Sequence, residues 1–262
     1  MSVSFSELMA SFREEKGRFQ IDIPEGWMQG RTTYGGLSAA LCLEGALRAF
    51  PDLPPLRSAQ ISFIGPAGGA VGVEATILRA GKSVTFLGAD LHAEKGLATR
   101  AVFAFGAARE TQYHRMFIPA ADLPAPEACE PYIPGGFGPS FAQHFEVLLA
   151  KGGRPVTGSS EHDHFLWVRH RSAEEGSVAA LLALADMPPP AMMPMFTSFA
   201  PVSSVTWFVN FLVSAPATRE GWWLLETRAE SAGEGYSSQD MLIWNRDGEP
   251  VVAGRQLVAI FA

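Results

Sequence analysis

Residues 30–51, GRTTYGGLSAALCLEGALRAFP, read as a Gly-Gly entry into an apolar helix that Pro51 ends. Within Leu37–Phe50, the residues Leu37, Ala40, Leu41, Leu43, Ala46 and Leu47 leave only Ser38, Glu44 and Arg48 for a polar face. A helix that is apolar nearly all round must be wrapped by something large. The residues that follow supply the wrapping. Strand-like runs at Ala59–Ile64, Gly72–Arg79, Val84–His92 and Ala98–Phe105 are punctuated by Gly65-Pro66, Ala80-Gly81-Lys82 and Glu94-Lys95-Gly96. This is the turn chemistry of an antiparallel meander, so the natural assembly is a curved sheet around one buried helix.

The same course runs a second time over residues 176–262. Ser177–Met187 supplies the helix and a Pro-rich stretch follows it. Strands are then expected at Val205–Leu212, Trp222–Ser231, Tyr236–Asn245 and Val251–Phe261, with Asn245-Arg246-Asp247-Gly248 as a hairpin turn. Upstream of each helix lie further elements: a short helix over Phe5–Phe12, and strands over Arg18–Ile23, Phe141–Ala150 and His164–His170. Between them, prolines recur at 119, 124, 126, 131, 134 and 139, a composition that reads as a connection. The expected division is a unit over 1–110, a linker over 111–140 and a second unit over 141–262. Two copies of helix-then-sheet imply a duplicated architecture in which each unit covers the other's open face.

Composition narrows the function classes. The chain has 262 residues, 47% hydrophobic and 18% charged, which is normal for a globular protein with a substantial core. A net charge of −7 argues against a nucleic-acid partner, because phosphates need Lys and Arg to neutralise them. Cys42 and Cys129 form no spaced motif, and Cys42 reads as a small buried hydrophobe. The N-terminus is polar with both charge signs, unlike a signal peptide, and no run approaches a membrane span. A cytoplasmic protein is the expectation. Neither a G-x-S-x-G elbow nor a G-x-x-x-x-G-K-[ST] phosphate loop occurs. Glu161-His162-Asp163-His164 has metal-ligand residue types but lacks a third ligand at a recognisable distance, so it reads as a solvated edge and no metal is expected.

The segment QGRTTYGGLSAALCLEGALRAFP, together with RHRSAEEGSVAALLALADMPPPAM and MLIWNRDGEPVVAGRQLVAIFA, resembles the double-hotdog acyl-CoA thioesterases of the type II group. The resemblance covers nearly the whole chain. It implies an α+β double hotdog: two curved antiparallel sheets, continuous with one another, each wrapping a central helix. It also implies a homo-oligomer, dimer or tetramer, that acts on acyl-CoA without a cofactor. In that family an Asp, a Thr or Ser, and a Gln hold a water against the thioester carbonyl, while backbone N–H groups at a helix N-terminus polarise the carbonyl oxygen. Carried over by residue, the Gln falls on Gln256 and the Thr or Ser near Ser231, with Ser237 or Ser238 as alternatives. The Asp falls on Thr206, in a strand that has no carboxylate. Strand alternation sets Ser204, Thr206, Phe208 and Asn210 on one face, which makes Asn210 a polar neighbour. Gly35, Gly36, Tyr34 and Asn210 are the expected substrate-binding residues, with the carbonyl near a helix N-terminus at Gly35-Gly36 or Gly176-Ser177. Asp90 and Asp186 are the remaining carboxylates to consider, Asp186 reading first as a polar helix end. Hydratases of the same fold carry Asp and His at the head of the helix, where this chain has Thr32-Thr33-Tyr34-Gly35-Gly36.

Thioester hydrolysis by a held water is the leading expectation. Two alternatives stand beside it: an acyl-CoA or acyl-chain binding protein that lost turnover with its Asp, and a structural module. The polar residues that match the family all fall in the second copy, where Gln256 is set against Arg100 of the first, so at most one site is expected.

Overall fold

The computed structural model describes residues 3–133, 138–172 and 176–262. Helix α1 (Phe5–Ala10) opens on a capping box in which the Ser4 hydroxyl accepts from the Glu7 N–H and the Glu7 carboxylate accepts from the Ser4 N–H. Strands β1 (Arg13–Glu15) and β2 (Arg18–Ile23) turn on Lys16-Gly17, both at positive φ as a tight hairpin requires. Two short strands, β3 (Met28–Gln29) and β4 (Thr32–Thr33), lead into helix α2 (Gly35–Ala49). The meander β5 (Leu56–Phe63), β6 (Gly69–Ala80), β7 (Val84–Ala93) and β8 (Gly96–Gly106) follows it. The second half comprises β9 (Glu130–Pro131), β10 (Phe145–Gly152), β11 (Asp163–His170), helix α3 (Val178–Ala185), β12 (Val202–Phe211), β13 (Trp223–Gly233), β14 (Tyr236–Asn245) and β15 (Pro250–Ile260).

Thirteen strands form one antiparallel sheet in the order β1-β2-β6-β7-β8-β5-β12-β15-β14-β13-β11-β10-β9. The halves join where β5 pairs with β12, centred on Gln60 opposite Phe208. Both helices are buried against the inner face, with Leu37, Leu41 and Leu43 of α2 fully enclosed. Each such leucine contributes about 1.5–3 kcal/mol of transfer free energy. This is the expected double hotdog.

Three strand bulges recur at matching places. The register shifts between Leu56 and Ser58 where β5 meets β8, and between Ser204 and Thr206 where β12 meets β15. It shifts between Ile77 and Arg79 of β6, and between Ala229 and Ser231 of β13. It shifts again between Leu91 and His92 of β7, and between Ile243 and Trp244 of β14. A bulge inserts one residue and re-aims those beside it, so matching bulges align the halves residue by residue. Gln256, opposite Trp207, corresponds to Phe103, opposite Ala59. Gln239, opposite Gln256, corresponds to Leu87, opposite Phe103. The sequence comparison of Gln256 with Arg100 is therefore corrected to Phe103.

Some local expectations shift. Ser140–His144 forms a 3-10 turn, with His144 stacked on Trp27, and the strand begins at Phe145. Helix α3 is eight residues long, stopped by Asp186-Met187 and the prolines beyond. Part of the 111–140 connection is held to the second half: Trp167 donates to the Pro124 carbonyl, Trp244 donates to that of Pro119, and β9 pairs with β10. Residues 134–137 of that stretch lie outside those described. No helix among the described residues is long and apolar enough to cross a membrane.

Candidate active site

The N-terminus of α2 runs into the C-terminus of α3, and the sequence allows this because Gly35 and Gly36 carry no side chain. A Cβ on Gly36 would lie 2.4 Å from the Ala183 carbonyl oxygen, and one on Gly35 would lie 2.6 Å from Oδ2 of Asp186. Tyr34 locks the approach. Its hydroxyl donates to the same Ala183 carbonyl at 2.7 Å, and its ring stacks on Phe141 at 3.9 Å. Burial first, then the nearby Asp186, holds the Tyr34 phenol well above its ordinary pKa, so it stays neutral. The Tyr34 side chain is thus committed to clamping the two helices.

Asp186 is the residue on which α3 ends. Burial raises its carboxyl to a pKa of about 7, against the opposing pull of hydrogen bonds from the Gln256 side chain and the Gly36 backbone. Gln256, buried on the inner face of β15, places its Nε2 2.7 Å from Asp186 Oδ1 and 3.0 Å from Ser204 Oγ, donating to both. Its Oε1 accepts from Nε2 of Gln239 at 2.8 Å, and Gln239 Oε1 accepts from the Ala191 N–H at 2.8 Å. A carboxylate able to titrate near neutrality, a hydroxyl and an oriented carboxamide therefore converge beside the first turn of a fifteen-residue helix. A cavity of about 350 Å³ opens onto Gly35 and Ser204 and is bounded by Gln29, Thr33, Ser38, Phe63 and Thr99. That volume falls in the range of small-molecule sites.

The structure redistributes the other expected residues. The bulge at Val205 breaks the period-two alternation, so Ser204 sides with Gln256 while Thr206 turns to the outer face. Thr206 there lines a groove of about 470 Å³ with Gln60, Ser62 and Phe208. Asn210 is half-buried further along that face, beside Ser58. Ser231 is exposed near the end of β13, and Ser238 beside it donates to Glu230. Ser237 points inward and is buried, its hydroxyl without a partner among the described residues. Asp90 lies in the first half under a bidentate Arg100 at 2.6 and 2.7 Å, which holds its carboxyl below the ordinary range. His164 is not a solvated edge residue: it is fully buried, its Nε2 2.5 Å from Thr227 Oγ1, and burial lowers its pKa to about 3.

Of the expected residues, Gln256, Gly35 and Gly36 meet, and Asp186 meets them from the end of α3. Asp186 had one sequence signal, an acid at the C-terminal end of an all-apolar helix, where the helix dipole disfavours negative charge. Ser204 and Gln239 had none beyond being polar within strands. A larger cavity, about 660 Å³, lies at the N-terminus of α3 along Arg169, His170, Ser177 and Trp223. Its carboxylates, Glu146 and Glu220, are taken by Arg169 and Arg246, whereas the smaller cavity is walled by Gly35, at the start of α2, and by Ser204, which accepts from Gln256.

Comparison with known proteins agrees with this architecture. Residues 23–106 match the acyl-CoA thioesterase N-terminal domain, and residues 122–260 match the acyl-CoA thioesterase C-terminal domain. No curated protein sequence matches the chain. Among solved structures, a hot dog fold protein of unknown function from Alicyclobacillus acidocaldarius superposes with a TM-score of 0.87 at 22% identity, covering 98% of this chain and 97% of that one. The acyl-CoA thioesterase II TesB2 of Mycobacterium marinum superposes with a TM-score of 0.76 at 18% identity, covering 98% of each chain. A tesB protein of Mycobacterium avium subs paratuberculosis gives 0.80 at 15%, covering 99% of this chain and all of that one. These likenesses show the fold; the family follows from the two domain matches, which together span most of the sequence: the chain belongs to the acyl-CoA thioesterases.

Proposed function

We propose that the protein hydrolyses acyl-CoA thioesters by direct attack of water at one composite site made of Asp186, Ser204, Gln256 and the first turn of α2. The observation that carries this reading is the Gln256 carboxamide, which bridges Asp186 and Ser204 beside Gly35 and Gly36. With Asp186 ionised, a water held against it and Ser204 gives its proton to the carboxylate as its oxygen bonds to the thioester carbon. Negative charge then develops on the carbonyl oxygen, which the start of α2 at Gly35, on the cavity wall, is placed to stabilise, while the Gly36 N–H is held by Asp186. When the tetrahedral species collapses, the C–S bond breaks, the sulfur takes the proton back from Asp186, and free acid and CoA leave. A pKa near 7 suits a group that accepts and returns a proton within one cycle. The reading uses neither a covalent nucleophile nor a cofactor.

The test is release of free thiol from acyl-CoAs of stepped chain length, wild type against Gln256→Ala. Turnover by the wild type that falls by about 10²-fold in the variant is expected. Saturable acyl-CoA binding without turnover at any chain length would instead favour the non-catalytic binding protein.

A further inference from the structure

We infer that Gln239 is a positioning residue that fixes the direction of the Gln256 carboxamide and thereby keeps Asp186 ready to ionise; this rests on the site proposed above. A glutamine side chain is nearly symmetric in shape, and only its hydrogen bonds decide which end is oxygen. Here one member of the chain of bonds cannot be reversed. The Ala191 backbone N–H can only donate, and it points at Gln239 from 2.8 Å. Gln239 must therefore present its oxygen to Ala191 and its NH2 to Gln256, 2.8 Å away. Gln256 must then accept through Oε1 and donate through Nε2, which sends its two N–H bonds to Asp186 Oδ1 and Ser204 Oγ. The direction set by one backbone amide reaches the carboxylate through two side chains.

Gln239 is fully buried on the inner face of β14, directly opposite Gln256. Its counterpart in the first half, Leu87, is equally buried, so the position itself calls only for an apolar side chain. A buried amide costs free energy unless both its ends are bonded, and both ends of this one are. Without Gln239, the Gln256 oxygen loses its donor and the carboxamide is free to rotate. Rotation would turn an oxygen toward Asp186, favouring the protonated acid and removing the base. It would also leave Ser204 without its donor.

The experiment compares wild type with Gln239→Met, which keeps the length and removes both polar ends. Thiol release from an acyl-CoA should show kcat lowered about 10-fold or more with KM changed little, as misplacement of a catalytic group does. In a Gln256→Leu background the same change should have no further effect on kcat, because Gln239 acts through Gln256. A readout independent of turnover is the Asp186 carboxyl titration, followed by ¹³C NMR and assigned by its loss in Asp186→Asn. The midpoint should rise by about one unit or more in Gln239→Met. An unchanged midpoint in folded Gln239→Met overturns the inference, whether or not the wild type hydrolyses thioesters. If the wild type has no turnover but the midpoint still moves, the positioning role stands and the hydrolytic reading falls. Gln239→Leu serves the same comparison if the Met variant does not fold.

Discussion

The two halves share a backbone down to their bulges and differ in what fills one set of positions. In the second half Gln256, Gln239 and Ser204 are polar and Asp186 ends the helix. In the first half the bulge alignment gives Phe103, Leu87 and Leu56 at the same strand places, and α2 ends on Phe50. The first set is hydrogen-bonded throughout, while Phe103 and Leu87 are dry core. The difference teaches that the duplicated sheet is a scaffold indifferent to chemistry, able to bury either a phenyl ring or a carboxamide at one address. The candidate site draws on both copies: the first contributes the glycine-started helix and the second contributes the acid.

The sharpest way to break the comparison is to remove the carboxylate. Asp186→Asn should lower kcat for thiol release by about 10²–10⁴-fold, the range of a lost general base. The same change should stabilise the fold at alkaline pH. A carboxyl raised to about 7 in the folded state contributes stability that is fully present below its unfolded pKa and lost as pH rises through 7. Calorimetry should therefore find the Asp186→Asn variant melting above wild type at about pH 8, the gap closing as pH falls toward about 4. Next in size is the converse exchange. Phe103→Gln places the polar residue in the first half, where Leu87 and Leu56 offer it no partner. A loss of about 3 kcal/mol in denaturant unfolding is expected, with kcat per folded molecule unchanged. Smallest of all, Thr206→Val and Ser231→Ala alter exposed side chains and should leave kcat/KM within about two-fold of wild type.

How much of this the sequence disclosed follows from the kind of signal each residue carries. Gly35-Gly36 before an all-apolar run, the period-two strands and the hairpin turns are local patterns, and they placed the helices, the strands and the duplication. Gln256 was reachable through the family resemblance, because it sits in the terminal strand where that family carries its Gln. Ser204 was hidden by the bulge at Val205, since alternation counted across an extra residue assigns the wrong face, and the same count set Thr206 on its face. Asp186 stood among the candidate carboxylates, but its contact with Gln256 was hidden by topology. It lies seventy residues from Gln256 in sequence, and the contact exists only because α3 is short and ends against the first half's helix. Gln239 reads as any polar residue in a strand until its inward face is known.

The central claim is that Asp186, raised to near neutrality and held by Gln256, is the base of the second half's site. The most direct measurement is the pH dependence of kcat for thiol release under saturating acyl-CoA. The account predicts a rate that climbs about ten-fold per unit at acid pH, bends near pH 7 and levels above it, with that bend absent from the residual rate of Asp186→Asn. A wild-type rate that is flat across about pH 5–9, or a bend that survives in Asp186→Asn, would contradict it.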